Sequence, residues 1–340
     1  MKNMKLGLQL GYWSANPPPN FVGLAQEAER LGYDSVWTAE AYGSDALTPL
    51  AWIGAQTSKI RLGTGVCQLS ARAPTAMAMA AMTLDHLTQG RVILGLGVSG
   101  PQVVEGWYGA PFSKPLARTR EYIDIIRQVL KREHPVANNG EHYPLPYTAE
   151  GSWGLGKPLK SILHPYRENL PIFLGAEGPK NVAMTAEIAD GWLPLYYSPF
   201  RQDVYKPSLS NAKPDFEICQ GVVVNITDDR ERGLQPVKNM LALYIGGMGA
   251  KDRNFHKELI SRMGFEAEAQ KIQDLFLAGK KPEAVAAVPD KLADEIALIG
   301  PKDYIRDRLQ AWRETPVTSL MVSARNPVEL QTLAELVLGA

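Results

Sequence analysis

Short apolar runs alternate with helix-patterned segments along nearly the whole chain, and this alternation limits the fold more than any other feature. Leu6–Leu10, Asp34–Thr38, Arg61–Val66 and Arg91–Leu96 read as strands. So do Ile172–Leu174, Gly191–Leu195, Glu217–Asn225 and Thr318–Ser323. Between them, Phe21, Leu24, Ala25, Ala28 and Leu31 repeat at the spacing of one helix face, and Gly32 stands where a C-terminal cap belongs. Thr48–Gln56, Pro74–Leu87, Pro115–Glu133, Asn181–Ala189, Glu231–Tyr244 and Tyr304–Arg313 carry similar helix patterns, with Pro74 suited to a first turn. Trp52 and Trp312 fall on these helices and are expected in the core.

Repeated strand–helix units imply a parallel sheet. Eight of them imply an α/β fold, a (β/α)8 TIM barrel of about 250 residues. The chain has 340 residues, and no low-complexity linker divides it, so residues 1–340 read as one domain. The excess length falls near 136–168, rich in Pro, Gly and Tyr, and near 246–299, with several short helical patterns. Both read as insertions. Long loops at one face of a scaffold usually shape a site.

Composition narrows the partners. Lys plus Arg and Asp plus Glu each number 36, so neither nucleic acid nor an anionic membrane is an expected partner. The two cysteines, Cys67 and Cys219, have no metal-ligand spacing, and no metal site is expected. A reduced, cytoplasmic protein fits this usage. The N-terminus lacks the shape of a signal peptide, and no apolar run approaches the ~20 residues of a membrane span.

Glycine-rich strand ends mark a ligand edge. Arg61–Gln68 reads R-L-G-T-G-V-C-Q, and Arg91–Gly100 reads R-V-I-L-G-L-G-V-S-G. Glycines there let a flat or phosphorylated ligand approach the backbone, and parallel α/β folds bind ligands at the carboxyl ends of strands. Gly95–Gly100 is a literal G-x-G-x-x-G, the pattern of a nicotinamide-dinucleotide site. Its position at the fourth strand, the irregular segment after it and the missing acidic partner argue against that reading. Gly175, Ala176, Glu177 and Gly178 follow the fifth strand and open a helix. Their turn suits either phosphate binding, with Lys180 adding charge, or tight geometry alone.

Other residues divide between chemistry and packing. Glu40 ends the second strand, where a carboxylate can pass a proton to substrate or form an ion pair, for example with Arg72. Tyr12, Trp13, Tyr42, Tyr108 and Tyr196 follow strands on the ligand side and could wall an apolar substrate pocket. His86 reads as structural, and Cys67 as a small buried thiol. His256 in the second insertion, near Arg253 and Arg262, reads as a solvated helix face or an anion contact.

Taken together, several stretches resemble the luciferase-like, F420-dependent oxidoreductases, specifically an actinobacterial-type branch. They are G-L-Q-L-G-Y from Gly7, A-E-R-L-G-Y-D-S-V-W-T-A-E from Ala28 and I-R-L-G-T-G-V from Ile60. T-Q-G-R-V-I-L-G-L-G-V-S-G-P-Q-V-V-E-G-W-Y-G from Thr88, P-L-A-R-T-R-E-Y, I-F-L-G-A-E-G-P and A-D-G-W-L-P complete the set.

The resemblance implies a deazaflavin, F420, lying in the barrel mouth and carrying hydride at ring C5. Its phosphate would sit at Gly175–Gly178. A non-proline cis peptide at Gly65–Val66 would back the ring. Gln68 would contact the ring, and Gly97, Val98, Ser99, Gly100 and Gln102 would hold its pyrimidine edge. A homodimer is implied as well. The chain departs from the sugar-phosphate dehydrogenases of that family: Ala39-Glu40 stands where they carry Asp-His, and Gly100 where they carry glutamate. That speaks against glucose-6-phosphate as substrate. The expected activity is hydride transfer to or from a small organic substrate such as an activated alkene, an imine or a pterin-like group. The alternatives are an FMN-dependent monooxygenase and a non-catalytic F420 carrier or sensor.

Overall fold

Eight parallel strands close into a barrel because each expected strand pairs with the next and the last pairs with the first. The computed structural model describes residues 4–249, 251–252 and 254–339. Its strands are β1 (Lys5–Gly11), β2 (Ser35–Thr38), β3 (Arg61–Thr64), β4 (Cys67–Gln68) and β5 (Val92–Gly97). They continue with β6 (Ile172–Gly175), β7 (Gly191–Leu193), β8 (Glu217–Ile226), β9 (Ala297–Gly300) and β10 (Ser319–Val322). β10 pairs with both β1 and β8, which closes the circle. β4 continues the third barrel strand after a break and pairs with β5.

The sequence reading missed β9. This strand pairs with the outer half of β8, Val223–Ile226, and adds to the barrel without joining the closed ring. The eight expected strands are the barrel strands, with ends moved by a few residues.

Helices cover the outside: α1 (Phe21–Arg30), α2 (Leu47–Gly54), α3 (Pro74–Leu87), α4 (Pro101–Gly106), α5 (Pro115–Lys131), α6 (Pro179–Ile188) and α7 (Arg230–Gly247). α8 (Phe255–Ile260), α9 (Glu266–Leu277), α10 (Lys281–Ala286) and α11 (Asp290–Glu295) build the second insertion. α12 (Lys302–Arg313) and α13 (Pro327–Val337) finish the chain. Proline opens α3, α4, α5, α6 and α13, where its missing N–H costs no hydrogen bond. Gly32 follows α1 with φ +81°, as a left-handed cap requires. Residues 136–168 are largely irregular and tied down by two bridges, Val136 to Leu159 and Asn138 to Leu145. No helix among the described residues is long and apolar enough to cross a membrane.

Alternation along the strands makes two cores. Outward residues such as Val36, Leu94, Ile172, Trp192 and Leu320 pack beneath the helices. Inward residues Trp37, Ile93, Phe173, Leu193, Cys219 and Met321 fill the lumen. Two glycines make the lumen wide enough for its aromatics. A Cβ on Gly63 would lie 2.3 Å from Trp37, and one on Gly191 would lie 2.6 Å from Phe173.

At the amino-terminal end, Arg61 bridges Asp34 at 2.5 Å and Glu217 at 2.7 Å, and Lys5 adds a 2.9 Å contact to Glu217. Trp312 is buried as expected, but Trp52 is 61% exposed on the outer face of α2. The apolar period of α2 is nearly uniform around the helix, so sequence alone did not show which side faces the barrel.

Candidate active site at the barrel mouth

The third barrel strand breaks at its carboxyl end, and the break builds the floor of the site. Thr64 Oγ1 donates to the Gly95 carbonyl at 2.7 Å and accepts from the Gly95 amide at 2.8 Å. A side chain thus does the work of the ladder between β3 and β5. Only glycine fits opposite, since a Cβ on Gly95 would lie 1.8 Å from the Thr64 carbonyl oxygen. The next peptide, Gly65–Val66, is cis. Its flanks are pinned by Gly65 N donating to Thr38 O at 2.7 Å and Glu40 N donating to Val66 O at 3.3 Å.

Val66 crowns the lumen core and lies over two glycines. A Cβ on Gly97 would come within 2.7 Å of Val66 Cγ2, and one on Gly175 within 3.4 Å of Cγ1. Gly65, Val66, Gly97 and Gly175 therefore form a nearly side-chain-free ledge at the ends of three neighbouring strands. The expected grouping of these residues is present.

Gln68 is the polar group at this ledge. Its Nε2 donates to the Glu40 and Ala41 carbonyls, both at 3.2 Å. Its Oε1 is buried and has no partner, although buried polar atoms are normally paired. The same residue's amide donates to Glu40 Oε1 at 2.9 Å.

Glu40 forms the ion pair with Arg72 that was the alternative to a proton-donor role. Arg72 Nη1 lies 2.8 Å from Glu40 Oε1 and 3.0 Å from Oε2, and the Ala46 amide donates to Oε2 at 3.2 Å. Both oxygens are taken by N–H donors, and the side chain is 4% exposed. Glu40 acts on the site through Gln68, which it holds in place.

Val98, Ser99 and Gly100 continue from the ledge, half-buried, with Ser99 at φ +60°. Gln102 is exposed on α4. Ala176 is buried, and its carbonyl accepts from Trp192 Nε1 at 2.8 Å. Gly178 caps α6 without any side-chain hydrogen bond, which leaves the first amides of a ten-residue helix facing outward at the turn. Lys180 is exposed.

The aromatic residues do not form one wall. Tyr12 and Tyr42 are 51% and 67% exposed at the rim. Tyr108 joins them, its hydroxyl donating to the Ala41 carbonyl at 3.3 Å. Trp13 turns aside to pack on Phe21, with ring centroids 5.4 Å apart, in a groove against α2. Tyr196 is 1% exposed, sealed beneath the second insertion, so it is no open pocket wall. Burial, with the Glu177 charge nearby, drives its hydroxyl pKa well above the ordinary phenol range.

His256 is no solvated face. Its Nδ1 lies 2.7 Å from Glu177 Oε2. Arg253 lies outside the described residues. His86 Nε2 donates to the His164 carbonyl at 2.7 Å and is structural. Cys67 is fully buried, and burial pushes its thiol pKa far up, as befits an inert side chain. Thr64 and the Glu177–His256 contact were missed from sequence. The former carries no motif, and the latter joins residues 79 positions apart, 256 minus 177.

Comparison with known proteins follows the same outline. The chain is 55% identical to a Mycobacterium tuberculosis protein named "Putative coenzyme F420-dependent oxidoreductase Rv3520c", over 98% of this chain and 99% of that one. It is 24% identical to 5,10-methylenetetrahydromethanopterin reductase of Archaeoglobus fulgidus, over 87% of each. The structure of the coenzyme F420-dependent tetrahydromethanopterin reductase of Methanopyrus kandleri superposes with a TM-score of 0.78 at 20% identity, covering 99% of each chain, and shares its fold. Residues 5–319 match the luciferase-like monooxygenase family, and the chain belongs to that family.

Proposed function

We propose that this protein is an F420-dependent oxidoreductase that moves hydride between the deazaflavin and an electrophilic carbon of a small organic substrate. The observation that carries the reading is the ledge: Val66 seated on Gly97 and Gly175, beside an unpartnered, buried Gln68 Oε1. A planar ring system can lie on such a surface, and the Gln68 acceptor suits an N–H on its polar edge. The 55% identical relative, named for F420, supports the choice of cofactor.

When bound, the deazaflavin supplies a ring carbon that gives or takes hydride. The protein's share is positioning. Val66 backs one face of the ring, leaving the other to substrate. Gln68 fixes the rotation of the ring, and the Glu40–Arg72 pair fixes Gln68. Val98, Ser99 and Gly100 border the polar edge, and the amide end of α6 at Gly178 takes the phosphate. Tyr12, Tyr42 and Tyr108 at the rim present aromatic surface to an apolar substrate such as an activated alkene, an imine or a pterin-like group. We propose a homodimer for the assembly, which light scattering would check.

The test is a parallel fluorescence titration of the purified protein with F420 and with FMN. Tight F420 binding with weak FMN binding is expected. A preference for FMN would overturn the cofactor reading and favour an FMN-dependent monooxygenase. Bound, reduced F420 that passes hydride to no acceptor in a broad panel would favour a carrier or sensor.

A further inference from the structure

The turn expected to hold phosphate carries its own negative charge. Glu177 lies between Gly175 and the Gly178 cap of α6, with its side chain 13% exposed. His256 Nδ1, on the second insertion, approaches Glu177 Oε2 to 2.7 Å, yet the two atoms are not aligned as a hydrogen bond. Arg262 donates to the Glu177 main-chain carbonyl at 3.5 Å and leaves the carboxylate alone. Lys180 is exposed on α6, where water and salt screen it.

Glu177 Oε2 is buried at the turn without a hydrogen-bond partner. The Tyr196 hydroxyl is buried and has no partner. Its ring stands edge-on to His256 at 6.2 Å and to Tyr244 at 6.0 Å, in the sealed packing behind Glu177.

We propose that Glu177 sets cofactor choice by charge, disfavouring a phosphate monoester and tolerating a phosphodiester at the Gly175–Gly178 turn. This rests on the reading that the cofactor phosphate sits at this turn. FMN ends in a monoester, which carries about −1.5 to −2 at neutral pH. F420 carries its phosphate as a diester with a single negative charge. A half-buried carboxylate is screened less than a surface one, so the extra charge of the monoester is felt. One additional charge at roughly 10 Å, at an effective dielectric constant of about 20, amounts to about tenfold in affinity.

The experiment compares wild type with Glu177→Gln, titrating each with FMN, riboflavin and F420. Riboflavin has the ring of FMN and no phosphate, so it reports ring binding and an intact fold. In Glu177→Gln, FMN should bind about thirtyfold tighter or more and F420 about tenfold tighter, while riboflavin changes by less than about threefold. A second variant, Glu177→Ala, also removes the charge and should shift the FMN-to-riboflavin ratio in the same direction. Equal changes for all three ligands, or no change in the FMN-to-riboflavin ratio in either variant, would overturn the proposal. The wild-type preference between F420 and FMN tests the cofactor reading separately, because the ratio of FMN to riboflavin does not depend on it.

Discussion

Glu40 and Gln68 are joined twice: the Gln68 amide donates to the Glu40 carboxylate at 2.9 Å, and the Gln68 side chain donates back to the Glu40 carbonyl at 3.2 Å. Arg72 closes the arrangement from the carboxylate side at 2.8 Å. The loop after β2 and the break in β3 are thereby held as one unit, and Gln68 Oε1 is left buried without a partner.

Glu40→Gln should therefore damage binding and stability rather than proton transfer. It leaves the Arg72 charge with only the more distant Asp45 carboxylate, at 3.9 Å, and brings an amide N–H against other donors. Breaking a buried pair in this way costs about 3 kcal/mol. The expected result is a lower melting temperature and a weaker cofactor Kd, with the pH dependence of kcat unchanged. A loss of kcat with intact Kd and stability would restore Glu40 as a proton donor.

Gln68→Ala should weaken ring binding by about tenfold, the worth of one hydrogen bond to a buried acceptor. Riboflavin and F420 should lose affinity alike, because the contact is to the ring. Isothermal titration calorimetry would check it. Undiminished affinity would show that Oε1 does not face the ligand.

The ledge itself can be filled. Gly97→Ala places a Cβ where Val66 Cγ2 now lies at 2.7 Å. It should displace Val66 and cost about 1–3 kcal/mol of stability, with cofactor binding lost in a protein that still folds. Gly106→Ala, outside the proposed cofactor contacts, is the control, since a Cβ there meets nothing within 4 Å. Equal binding by both variants would refute the ledge.

Acid should release the amino-terminal end of the barrel. Burial raises the pKa of Glu217, but hydrogen bonding and charge from Arg61 and Lys5 outweigh it, and the net shift is downward. Asp190 behaves likewise through Arg127 and Lys213. A depressed folded pKa gives stability that is present above the unfolded value, about 4 for these carboxylates, and lost as pH falls through the folded value. Melting temperature should accordingly fall steeply below about pH 4, and Glu217→Gln should flatten the slope while lowering the plateau at neutral pH. An unchanged slope in that variant would show that Glu217 does not drive acid unfolding.

The order of strands and helices, the proline starts and the Gly32 cap are local properties, because a periodic apolar face or a fixed φ depends on neighbours in the chain. They were legible in the sequence, and so were the glycines of the ledge, since a run of strand residues ending in glycine has few other uses. Resemblance across many short motifs added the cofactor.

What the sequence did not decide were contacts between distant residues. Gly63 and Gly191 are needed because Trp37 and Phe173 cross the lumen, and that follows only from strand register. Glu40 could hold a proton or an ion pair until the fold placed Arg72 and Ala46 around it. His256 met Glu177 only when the second insertion folded back over the mouth. β-Strand and helix patterns record which face of a segment is apolar. They carry no record of which charged side chains share a buried space, and at this barrel mouth that sharing assigns the roles.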